Sequence, residues 1–106
     1  MNHETFVALA ANRFQACQDI LAAKSAEYSR SGDKLHNFRR AAALLGCSSE
    51  RALVGMMSKH IVSVLDIVDD IEVGNMPDEG LVSEKIGDLI NYAVLAEALI
   101  TERRQA

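Results

Sequence analysis

Apolar positions recur along this chain with the 3.6-residue period of a helix, and no segment shows the two-residue alternation of a strand. The clearest stretch runs from Leu81 to Arg104. Helix formers dominate it and no proline interrupts it. Val82, Ile86, Leu89, Ile90, Ala93 and Ile100 share one broad side of that helix, and Glu84, Asp88 and Asn91 begin the other. Leu95 and Leu99 then continue the polar stripe with apolar side chains. The second half is apolar nearly all round, the pattern of a helix covered on both sides. Two carboxylates and an amide therefore open a stripe that faces protein, where a carboxylate needs a partner or a metal.

Three more helices precede it. The first spans about Glu4 to Ser29, with Asn2 and Thr5 both able to cap it. Phe6, Ala10, Phe14, Cys17, Leu21 and Tyr28 lie on one face, and Lys24 falls at the centre of that face. Lys24 has two readings. Its stem packs while its ammonium reaches solvent, or the ammonium is held in a polar pocket against carboxylates or a phosphate. Glu27 lies on the edge of the same face. Arg30-Ser31-Gly32-Asp33 carries turn chemistry. A short helix follows from about Leu35 to Leu45, with Gly46 as its stop. Ser48 or Ser49 caps a third helix that runs to about Glu72. Its apolar face holds Leu53, Met57, Ile61, Val64, Val68 and Ile71. Lys59, Ser63, Asp66 and Asp70 follow one another on the charged side, where a solvated face with helical ion pairs is the plain account. His60 sits at the margin of the apolar face, either as a core histidine with its hydrogen bonds made or as a contact to a ligand. Gly74 to Gly80 is the loop richest in breakers and joins the last two helices.

Composition sharpens this picture. With 106 residues the chain is expected to be a single domain spanning residues 1–106. Apolar residues make up 49% and aromatics only 5%, so the core must be aliphatic, as packed helices prefer. A net charge of −4 argues against duplex DNA or RNA as the main partner, because neutralising phosphates needs a basic face. No apolar run is long enough to span a membrane and no signal-peptide pattern is present, so the expectation is a cytoplasmic protein with no membrane partner. Cys17 and Cys47 sit among alanines and leucines, as buried free thiols do. There is no phosphate-cradling glycine loop, no zinc spacing and no nucleophile elbow. Four helices with short connections predict an all-α four-helix bundle. Helices this apolar in so short a chain predict a homo-oligomer, at least a dimer.

An ordered set of residues carries a resemblance. Lys24-x-x-x-Tyr28, Asn37-Phe38-Arg39, Lys59-His60 and Glu84-Lys85-Ile86-Gly87-Asp88-Leu89-Ile90-Asn91-Tyr92 resemble the all-α nucleoside triphosphate pyrophosphatase superfamily, the MazG-like proteins. The likeness covers roughly residues 18 to 102 and is greatest to the small phage and prophage branch associated with nucleotide modification. It implies a four-helix core, usually dimeric or higher, and magnesium held by helix-borne carboxylates. It implies cleavage of a (deoxy)nucleotide between its α- and β-phosphates. Members carry a paired-glutamate motif on one helix and Glu-Glu-x-x-Asp on the next. Here Glu84 and Asp88 match the second motif, but Lys85 replaces its second glutamate. Lys59 and His60 stand where the first motif is expected.

The resemblance assigns roles residue by residue. Glu84 and Asp88 become the catalytic carboxylates and, with Glu27, a Mg²⁺ set; magnesium favours octahedral oxygen ligands and retains waters. Lys24, Arg39 and Lys59 become phosphate clamps. His60 bonds phosphate or a carboxylate, Asn91 a base or sugar, and Tyr92 or Phe38 stacks on the base. Lys24, Glu84 and Asp88 are then expected to converge in one pocket with Asn91. The other class of function is a non-catalytic module of the same fold that binds a nucleotide or a protein. The departures at Lys85, Lys59 and His60 favour that class, and Glu84, Asp88, Asn91 and Tyr92 favour the enzyme.

Overall fold

A computed structural model of the chain describes the backbone of residues 1–28, 33 and 35–106, and the side chains of residues 1–23, 33 and 35–106. The turn expected at 30–33 falls largely outside those residues. The chain forms four helices: α1 (His3–Tyr28), α2 (His36–Leu45), α3 (Ser49–Glu72) and α4 (Glu79–Gln105). No strand element occurs among the described residues.

Local chemistry accounts for the ends. The Asn2 side chain accepts from the Thr5 backbone N–H at 2.8 Å, so Asn2 is the cap of α1. Gly46 closes α2 in the left-handed region at φ 67°, where a side chain would be strained. The Ser48 hydroxyl accepts from the Arg51 N–H at 3.0 Å and opens α3. The Asp78 carboxylate accepts from Gly80 N–H at 3.0 Å, which starts α4 two residues before Leu81.

Side-chain pairs give the helix directions. Glu50 meets Arg103, Leu53 packs with Leu99, and His60 meets Asp88, so α3 and α4 run antiparallel. Arg13 meets Ser83 and Cys17 meets Gly87, so α1 runs parallel to α4 on another side of it. The core lies where α2, α3 and α4 meet. Leu35, Phe38, Leu53 and Leu99 are buried there, with Met56, Met57, Tyr92, Leu95 and Ala96 packed around them. Leu53 is fully enclosed. Phe38 is thus a core ring, edge-on to Tyr92 at 6.3 Å.

Two expected apolar faces are only half used. On α1, Cys17 is buried and Ala10 and Leu21 are partly covered, but Phe6 and Phe14 are 58% and 63% exposed. The physical reason is that, among the described residues, α1 packs chiefly on α4, so its inward strip is narrow. On α3, Leu53, Met57 and Val64 turn inward with Ile67, while Ile61, Val68 and Ile71 are exposed. Cys17 and Cys47 are both free thiols, the first buried and the second half-buried.

The molecule is open. Its radius of gyration is 16.1 Å, against about 13 Å for a compact domain of this length. It exposes 7652 Å², whereas a compact monomer of 11.6 kDa exposes about 5,800 Å².

Candidate functional site at the seam of α3 and α4

From Asp88 onward α4 is covered on one side only, not on both as its apolar pattern predicts: Ala93, Val94 and Ile100 are exposed, because no described helix packs over them. Asp88 is mostly covered, Asn91 is buried at 7%, and Leu99 is buried in the core. His60 on α3 comes opposite Asp88, with its Nδ1 3.7 Å from Asp88 Oδ2. That is an ion-pair distance when the imidazole is protonated, and too long for a hydrogen bond. The His60 ring also lies against Tyr92, with centroids 4.5 Å apart and planes tilted by 38°. Burial first, and the Asp88 charge second, push the Tyr92 hydroxyl above its ordinary pKa. Asn91 carries a buried side-chain oxygen with no hydrogen-bond partner among the described residues. Such an orphan is uncommon, because an unpaired buried acceptor costs about 1–3 kcal/mol.

Glu84 stands apart from this cluster. Its side chain is 62% exposed and lies 4.0 Å from the Lys85 ammonium, its own neighbour on α4. Among the described residues only Lys85 pairs with it. Lys59 is exposed on the outer side of α3. Arg39 is engaged elsewhere. It pairs with Asp33 at 3.4 Å and with Glu102, linking α2 to the end of α4. The side chains of Lys24 and Glu27 lie outside the described residues. The structure therefore brings together His60, Asp88, Asn91 and Tyr92, and does not bring Glu84, Lys59 or Arg39 to them.

The resemblance implies magnesium held by Glu84, Asp88 and Glu27, and the Glu27 side chain lies outside the described residues. No three His, Cys, Asp or Glu side chains among them gather as a metal set. Asp88 faces an imidazole and Glu84 faces an ammonium, where a hard cation wants several oxygens.

An open groove of about 680 Å³ lies on the opposite side of α4. Leu21, Leu35, Val94 and Leu95 line its apolar part, and Asp33, Glu97 and Glu102 its acidic part. Asp33 and Glu102 are both paired with Arg39. The ionic links between helices were not evident from periodicity. Arg13 donates to the Ser83 hydroxyl at 2.7 Å, and Arg103 grips Glu50 through two hydrogen bonds of 2.7 Å. The second pair holds the Glu50 carboxyl at a pKa of about 2, chiefly through the Arg103 hydrogen bonds. Its one sequence signal was an acidic residue in the first turn of α3 and a basic pair in the last turn of α4.

The chain matches no protein-family model, no curated protein sequence and no solved structure. Among the described residues, no helix is long and apolar enough to cross a membrane.

Proposed function

We propose that this chain is a non-catalytic helical interaction module of the MazG-like kind, acting in the cytoplasm as a homo-oligomer. One observation carries this reading: the surplus of about 1,800 Å² of surface over a compact monomer. Much of it is apolar, with Phe6, Leu9, Phe14, Val54, Ile61, Val62 and Leu65 about half exposed. Apolar surface left open along whole helix faces of a small domain is what an association site offers. The resemblance at Glu84, Asp88, Asn91 and Tyr92 supports the fold kinship. The ungathered carboxylates support the non-catalytic class.

Asn91 favours a second reading, a nucleotide held at the α3–α4 seam. A base could supply the donor that the Asn91 oxygen lacks, while Tyr92 and His60 supply rings and Asp88 accepts a second hydrogen bond. Magnesium-dependent pyrophosphate cleavage would further require Glu84 to join Asp88, so no hydrolytic step is derived.

Thermal melts separate the readings. Wild type is melted over a range of protein concentrations, and with each common nucleoside triphosphate with and without magnesium. The interaction module predicts a melting temperature that rises with protein concentration and ignores the nucleotides. A nucleotide-specific rise that Asn91→Leu abolishes would replace it with the second reading.

A further inference from the structure

The exposed apolar residues of α3 are not scattered. Val54, Ile61, Leu65 and Val68 are all more than 40% exposed and fall at spacings of seven, four and three. Those are the intervals of a coiled-coil seam, with Ser58 filling the one missing position between Val54 and Ile61. The seam lies about a quarter turn or more away from the inward line of Leu53, His60, Val64 and Ile67, so α3 presents one face to its own core and another to solvent.

The charges beside the seam are ordered too. Arg51 stands at its N-terminal end, and Asp69 stands on the same flank at its C-terminal end, with Glu72 closing the seam. All three are exposed. In an antiparallel pair of identical helices, a two-fold axis sets each flank against the same flank of the partner. An axis passing Ile61 therefore places Arg51 beside the partner's Asp69. It places Val54 on the partner's Val68, Ile61 on the partner's Ile61, and Leu65 over the partner's Ser58, whose small side chain leaves room. A parallel pairing would instead put Glu72, which lies on the seam itself, against the partner's Glu72, and would turn the flank of Arg51 and Asp69 away from its own copy.

We infer that a second copy of this chain docks on the outer face of α3, antiparallel, about a two-fold axis at Ile61. The pairing rests on the oligomeric part of the function proposed above and is independent of any ligand. The surplus surface is large enough for it: about 1,800 Å² per chain, against the roughly 800 Å² each partner gives to a standard interface. The face is self-complementary in shape, with β-branched side chains meeting, and in charge, with Arg51 meeting Asp69.

The test uses the full chain and two independent readouts. The first is mass by light scattering for wild type and Ile61→Glu, with circular dichroism to follow helix content. Wild type should be a dimer. Ile61→Glu sets two carboxylates together at the axis and should weaken the dimer on the order of a hundredfold, as loss of a central anchor with burial of charge does. The second is cross-linking. Ile61→Cys in a Cys17→Ser, Cys47→Ser background should oxidise readily to a covalent dimer, and Val62→Cys should do so less. In charge space, Arg51→Glu should weaken the dimer and Arg51→Glu with Asp69→Arg should restore it. A wild-type monomer overturns both the pairing and the oligomeric reading. A dimer that tolerates Ile61→Glu and gives no 61–61 cross-link overturns the pairing alone, and places the interface on another face. If Ile61→Glu fails to fold, the cross-link and the charge swap decide by the same criteria. A stable complex only with a different protein, wild type alone being monomeric, likewise overturns it.

Discussion

Asn91 and Glu50 show at the scale of single residues how environment overrules type. Asn91 is a polar side chain on the covered stripe of α4, with its oxygen buried and without a partner among the described residues. Replacing it with Leu, which has the same branching and bulkier tips, removes the orphan acceptor. Asn91→Leu should therefore leave the fold unchanged or raise its stability by about 1 kcal/mol, read from urea unfolding. Glu50 is the opposite case, a surface carboxylate made strongly acidic by the two hydrogen bonds from Arg103. Its folded pKa of about 2 lies below its ordinary 4.5, so the unfolded chain binds the proton first as pH falls. The stabilisation is therefore present above about pH 4.5 and is lost as pH drops towards 2. The melting-temperature gap between wild type and Glu50→Gln should be constant near neutrality, shrink across that window, and vanish below it.

Helix boundaries were legible at the scale of elements because each is written in local chemistry. Ser48, Gly46 and the Gly74 to Gly80 breakers do not depend on what packs against them. The inward faces were less legible, because a face is defined by its neighbours. Among the described residues α1 packs chiefly on α4, so Phe6 and Phe14 stay in solvent although they share a side with Cys17. Glu84 and Asp88 share one stripe of α4, yet Asp88 finds His60 across the seam and Glu84 finds only Lys85. Periodicity identified the stripe and the partner helix decided where it became a site. The attachment of α1 can be probed at Gly87, which is buried against it. A Cβ there would stand 2.8 Å from the Arg13 guanidinium, the tip of a flexible side chain. Gly87→Ala gains about 1 kcal/mol of helix propensity and displaces Arg13 from Ser83. Global stability should then stay within about 1 kcal/mol of wild type, because the hydrogen bond lost is exposed. Amide exchange in α1 should quicken while α3 is unchanged.

At the scale of the whole molecule, the all-helical architecture follows directly from the 3.6-residue pattern, and the openness does not. A sequence shows how much apolar surface exists; only the packing shows how little of it α1 and the outer face of α3 cover. A radius of gyration of 16.1 Å with 7652 Å² exposed leaves more surface open than a compact monomer of this length would. The account's central claim is that this chain completes its fold by association with itself. Sedimentation equilibrium of the purified full chain at micromolar concentrations tests it most directly. The account predicts a species of twice 11.6 kDa that dissociates only on dilution. A single species of 11.6 kDa that persists at every concentration reached would contradict it.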